Sequence, residues 1–173
     1  MQIEPGSYVE ATIVAPVGEG VWPAFWLIGA NNDEVGWPAS GELDVLEVSG
    51  GNPTVANSRI HTASRSDPQR DLEYGAYETG GAVDLGHPLD SQPHRYGVYF
   101  DAEMVRFYID GEETLALDAD EALASGRSWP FDGPQYLVLN VAVGVWFADP
   151  SGTAFPRTMT VGPISIWQGG VPF

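Results

Sequence analysis

Short runs of apolar or alternating residues recur along the chain, and glycine or proline separates most of them. The runs cover 8–14, 21–28, 42–48, 57–62, 95–100, 104–109, 136–143 and 157–167. Side chains of a strand alternate between its faces, so runs of this length and spacing predict an all-β sandwich or barrel. Asp110-Gly111 directly follows one run and predicts a hairpin, because both residue types tolerate the positive φ of a tight turn. One short helix is predicted, over 119–125, with Asp118 as its N-cap and Gly126 beyond its end. The stretch 62–93 is long, polar and Gly-rich, and reads as loops with one or two strands; long loops in a compact domain often carry function.

One run breaks the alternation in an informative way. Glu42-Leu43-Asp44-Val45-Leu46-Glu47 places three carboxylates on what otherwise reads as a buried strand. Burying an unpaired carboxylate costs several kcal/mol, so the cluster needs a reason. In a regular strand Glu42 and Asp44 share a face and Glu47 points into the core. One extra residue, a β-bulge near Val45-Leu46, returns Glu47 to the face of the other two. Two carboxyls facing one groove are what glycosidic bond cleavage requires. A solvated outer face of an edge strand is the other reading of the same six residues.

With 173 residues, of which 43% are hydrophobic and 12% aromatic, the chain supports one domain, 1–173, with a sizeable core. No apolar run is long enough to span a membrane, and Met-Gln-Ile-Glu-Pro-Gly does not read as a signal peptide. The formal net charge of -17 disfavours nucleic acid and anionic membranes as partners and suits a neutral polymer. With no cysteine there is neither a disulfide framework nor thiol catalysis.

The runs also carry a resemblance. Gly18-Glu19-Gly20-Val21-Trp22-Pro23-Ala24-Phe25-Trp26-Leu27 and Trp37-Pro38-Ala39-Ser40-Gly41 leading into the acid hexapeptide resemble glycoside hydrolase family 16. So do Ile60-His61, His94-Arg95-Tyr96-Gly97-Val98, 105–111, 139–144 and 155–159, so the likeness spans nearly the whole chain. The acid spacing is similar to that of the bulge-containing branch of laminarinase-like enzymes. The resemblance implies a concanavalin A-like jelly-roll sandwich of two antiparallel sheets with a concave substrate cleft. It implies an endo-acting retaining hydrolase of β-1,3 or mixed β-1,3/1,4 glucan, with Glu42 as nucleophile, Glu47 as acid/base and Asp44 between them to orient or polarise Glu42. It implies an extracellular or secreted protein acting on a neutral polysaccharide. The family carries further strands before the segment matching 7–14, so exposed sheet edges are expected, to be covered by self-association or a larger parent chain. Many members hold a structural calcium with an acid where Gly162 stands here, so no cofactor or metal is expected.

Around the acids, Trp22 and Trp37 are expected to offer flat apolar faces to sugar rings, with Trp146 matching a cleft tryptophan on a loop. Trp26, four residues from Trp22, shares its face in a regular strand and is balanced between cleft and core. His61 is expected to bond substrate or tune Glu47, Arg59 to contact sugar hydroxyls, and Asn140 to reach the cleft or to satisfy a bulge. His94 is expected on a strand further along the same sheet, and Trp129 and Trp167 as packing residues. A non-catalytic carbohydrate-binding or structural module of a cell surface or virion is the rival reading. The mutual repulsion of three acids argues against it, since a pure binder gains nothing from that cost.

Overall fold

The computed structural model describes residues 2–67, 70–71, 75–144 and 148–173. Among the described residues, eleven strands form two antiparallel sheets. In chain order they are β1 (Gln2–Ile3), β2 (Ser7–Val14), β3 (Val21–Gly29), β4 (Glu42–Glu47), β5 (Val55–Thr62), β6 (Tyr77–Asp84), β7 (His94–Phe100), β8 (Met104–Ile109), β9 (Glu112–Asp118), β10 (Gln135–Val143) and β11 (Thr160–Gln168). The six-stranded sheet has the order β1-β10-β3-β4-β5-β6, and the five-stranded sheet β11-β2-β7-β8-β9. The expected jelly-roll sandwich is what the chain forms.

The alternation seen in the sequence becomes the core. Phe25 and Leu27 of β3, Leu43, Val45 and Leu46 of β4, and Ile60 of β5 point inward from one sheet. Tyr96, Val98 and Phe100 of β7 and Val105 and Phe107 of β8 meet them from the other. Full burial of an aliphatic or aromatic side chain stabilises by about 1.5–3 kcal/mol, so these runs fix which face of each strand turns inward.

The β8–β9 hairpin follows its turn signal, with Asp110 at φ 52° and Gly111 at φ 93°. Beyond β9 a short helix (Ala119–Ala124) begins after Asp118, whose side chain makes no capping bond, and Gly126 lies past its end at φ 85°. Four elements are not delimited by the sequence pattern. β6 alternates in burial but carries glycines at its centre in place of an apolar face, β9 opens on two glutamates, β1 is two residues long, and the single turn α1 (Asn32–Val35) carries no apolar stripe.

The edges differ in cover. Only Gln135 and Tyr136 of β10 pair with β1. Leu137 and Leu139 of β10 pack against the core yet stay half-buried, as do Val161 and Ile166 of β11. Among the described residues, no helix is long and apolar enough to cross a membrane.

Candidate active site

The bulge is where the sequence places it. Against β3, Leu46 pairs with Phe25 and Asp44 with Trp26, so Val45 is the extra residue; against β5, the register shifts between Asp44 and Glu47. Val45 and Leu46 are consequently both buried, at 1% and 0% exposure. Glu42, Asp44 and Glu47 together face outward from the six-stranded sheet, where they line a cavity of about 210 Å³ with Trp22, Ala24, Trp26 and Asn140.

Register brings partners to each acid from the neighbouring strands. On β3, Trp22 donates its indole N–H to Glu47 Oε1 at 3.0 Å. On β5, Arg59 donates Nε–H to Glu47 Oε2 at 3.1 Å. His61, opposite Glu42 in the register, sets Nε2 3.0 Å from Asp44 Oδ2 and 3.9 Å from Glu42 Oε1. Trp26 donates to Asn140 Oδ1 at 2.8 Å, which fixes both over the cavity from the β10 side. Trp37 stands 49% exposed on the loop between α1 and β4, its ring centre 6.0 Å from that of His61. That loop is tied by Ser40 Oγ donating to Asn32 Oδ1 at 2.8 Å.

The sequence-derived candidates are therefore gathered on one face, with some differences in detail. His61 bonds Asp44, and tunes Glu47 through its charge, which pulls Glu47 down. Arg59 is engaged by Glu47 and by Glu78 of β6, with which it forms an ion pair. Asn140 is exposed and serves Trp26, not a bulge. Trp146 falls outside the described residues. His94 lies on the other sheet, paired with Asp110, because β7 does not join the sheet of β4. Trp129 and Trp167 pack against Phe131 and Tyr8 as expected. Sequence reasoning does not find Glu78, hidden in the polar stretch before β7. It also leaves Trp26 undecided, although the four-residue spacing from Trp22 is the signal for it.

Electrostatics follow from crowding acids on a half-buried face. Burial first, then the charge of Asp44, raise Glu42 to about 7, against the pull of His61. Burial and Asp44 likewise raise Glu47 to about 7, while Arg59 and the Trp22 hydrogen bond pull it down. Burial lowers His61, but the hydrogen bond and charge of Asp44, with the charges of Glu42 and Glu78, outweigh this and raise it. These groups exchange protons as one coupled set. Near neutral pH the face thus offers a carboxylic acid and a carboxylate beside an imidazole whose protonated form its acidic neighbours favour. Such a set can give a proton to a leaving oxygen and attack an electrophilic carbon. Glu42, Asp44 and His61 also bring one potential ligand atom each to within 4.8 Å of one another, the one such group among the described residues. His61 Nε2 already lies between the two acids, in contact with Asp44 Oδ2 and near Glu42 Oε1.

Fold and site together define an antiparallel β-sandwich with a carboxylate- and tryptophan-lined cleft on one outer face. The family model described as "Glycosyl hydrolases family 16" matches residues 6–162, and the chain belongs to this family. It is 29% identical over 160 residues to "Glucan endo-1,3-beta-glucosidase A1" of Niallia circulans, covering 88% of this chain and 23% of that one. It superposes on the laminarinase catalytic domain of Thermotoga maritima with TM-score 0.86 and 34% identity, over 97% of this chain and 65% of the other. For the endo-beta-1,3-glucanase of Pyrococcus furiosus the values are 0.85 and 31%, over 97% and 63%. The chain thus spans less than two thirds of each of these relatives.

Proposed function

We propose that the protein is an endo-acting, retaining β-glycoside hydrolase of β-1,3 or mixed β-1,3/1,4 glucan. The observation that carries this reading is the bulge at Val45, which sets Glu47 on the face of Glu42 and Asp44 beside a tryptophan-lined cavity. The names of the relatives, glucan endo-1,3-beta-glucosidase and laminarinase among them, support the choice of substrate.

In this reading Glu42 attacks the anomeric carbon as the glycosidic C–O bond breaks, and Glu47 gives its proton to the departing oxygen. A water then loses its proton to Glu47 and displaces Glu42, so that the anomeric configuration is retained. Glu42 must be ionised for the first step. The charge of the neighbouring His61 favours the Glu42 anion. Glu47 must start protonated, and burial beside Asp44 holds it so up to about pH 7. Trp22, Trp26 and Trp37 offer the flat apolar surfaces that pyranose rings stack on. Asn140 offers its amide N–H₂ to the substrate while its oxygen holds Trp26. Polymeric glucan is met outside the cell, so secretion belongs to this reading. The half-covered β10 and β11 edges are closed by self-association or by a larger parent chain; light scattering across a concentration series distinguishes the two.

Reducing-sugar release from laminarin, lichenan and agarose, comparing the protein with its Glu42→Gln variant, tests the reading. Release from a glucan that the substitution abolishes supports it. Binding without release from any of the three, equal in both proteins, overturns it in favour of a carbohydrate-binding module.

A further inference from the structure

Glu78 sits on β6, two strands from the acids, yet its two oxygens face the two partners that flank them. Oε1 forms an ion pair with Arg59 Nη1, and Oε2 lies 4.0 Å from His61 Nδ1. Arg59 in turn reaches Glu47 through Nε, and His61 reaches Asp44 through Nε2. The contacts form a chain that leaves the acid strand and returns to it: Glu47, Arg59, Glu78, His61, Asp44. Gly80 pairs with Arg59 in the register and lies beside this chain of contacts. A Cβ at Gly80 would stand 3.2 Å from Arg59 Nη1, so the missing side chain lets the guanidinium lie along the sheet toward Glu78.

An arginine beside a carboxylate often forks onto it with two parallel N–H groups. Here the fork is divided. The Nε edge goes to Glu47 and the Nη1 end to Glu78, so Glu47 meets one N–H of a cation whose charge a second anion already balances.

We propose that Glu78 is a positioning residue for the acid/base glutamate: it holds Arg59 by Nη1 so that the guanidinium meets Glu47 through Nε alone. The inference rests on the reading of Glu47 as the acid/base. An unopposed, forked arginine would favour the Glu47 anion and remove the proton that the leaving group needs. Burial and Asp44 can keep Glu47 protonated near neutrality because Arg59 is shared. Among the described residues, the charged groups facing Glu47 and Arg59 are Asp44 and Glu42 on β4, His61 on β5 and Glu78 on β6; from β3 and β10 come the neutral Trp22 and Asn140.

The test is a carbon-13 NMR titration of the Glu47 carboxyl, assigned by its loss in Glu47→Gln, in four proteins: the parent, Glu78→Gln, Arg59→Gln and the double variant. The Glu78 side chain is 46% exposed on an edge strand, so Glu78→Gln is expected to fold with unchanged melting temperature. The expected result is a Glu47 midpoint lower by about half to one pH unit in Glu78→Gln, with no such drop when Arg59 is already Gln. An unchanged or raised midpoint in Glu78→Gln overturns the proposal. So does an equal drop in the Arg59→Gln background, which would mean an effect of Glu78 on Glu47 that does not pass through Arg59. In turnover, the alkaline limb of kcat/KM on laminarin moves down in Glu78→Gln with KM unchanged. If the parent protein hydrolyses nothing, the catalytic reading fails, while the titration still decides what Glu78 does to Arg59.

Discussion

The molecule holds two histidine–aspartate pairs, one on each sheet, and their chemistry differs because their surroundings do. His61 and Asp44 meet at 3.0 Å on the outer face of the six-stranded sheet, with Glu42 beside them, Glu47 along the same strand and a cavity over the acids. His94 and Asp110 meet at 2.6 Å at the end of the other sheet. There Asp110 Oδ1 also accepts the N–H of Arg95, and the Asp110 N–H donates to the carbonyl of Arg95, so the pair clasps β7 to the β8–β9 turn. His87 stacks over His94 with ring centres 5.1 Å apart. A histidine–carboxylate pair is thus an all-purpose polar fastener. It becomes part of a reactive site only where further carboxylates share its protons and an open face admits a substrate.

The sharpest way to break this contrast is to remove acids from the cleft. Glu42→Gln is expected to lower glucan turnover by about 1,000-fold or more, and Glu47→Gln by about 100- to 10,000-fold, both with retained oligosaccharide binding by calorimetry. Replacing the two histidines separates the regions directly. His61→Ala should reduce kcat/KM by about 10- to 100-fold and also lower the melting temperature, since it leaves the buried Asp44 without its partner and Glu42 without a neighbouring cation. His94→Ala should leave kcat intact and lower stability by about 1–3 kcal/mol in chemical denaturation, since it removes one of the bonds that Asp110 makes and empties a buried position. Equal losses of activity in both variants would sink the distinction.

The pH dependence of stability offers a finer test. Glu42 has a folded pKa raised to about 7 from an ordinary value of 4.5. The folded state therefore binds more protons than the unfolded chain between those values, and stability falls as pH rises through that window. Glu42→Gln removes the ionisation. It should exceed the parent in stability at pH 8, by an amount on the order of 1–3 kcal/mol, and match it at pH 4, where both side chains are neutral. Calorimetry at the two pH values checks this. The smallest expected effect is that of Trp22→Ala, which takes a ring from the cleft and an N–H from Glu47. Its KM should rise about 10-fold, and the alkaline limb of the rate profile should move up, because that hydrogen bond favours the Glu47 anion.

How much of this is legible in the sequence varies with the range of the interaction. The acid hexapeptide announces both the strand and its bulge, because burying Leu43, Val45 and Leu46 together puts Glu47 on the outer face. The Asp110-Gly111 turn is equally local. β6 and β9 escape a reading by periodicity because neither presents a continuous apolar face: Gly80 and Gly81 interrupt β6, and Glu112 and Glu113 open β9. Glu78 is lost with β6, since a carboxylate in a polar stretch gives no sign of what it will meet. His61 can be placed near the acids from its strand, but its choice of Asp44 over Glu47 cannot.

By itself, the sequence determined the properties that depend on neighbours along the chain. Period-two burial set the strands, the extra residue at Val45 set the face of Glu47, and the turn residues set the β8–β9 hairpin. Tertiary structure decided what depends on which strands lie side by side. It put β5 and β6 next to β4, and so brought Arg59, His61 and Glu78 to the acids, while β7 took His94 to the other sheet. The physical reason is that register between strands is fixed by burying both sheets' inner faces at once. The polar residues on the outer face are carried into place by that packing, and nothing in their own spacing along the chain says which of them will meet.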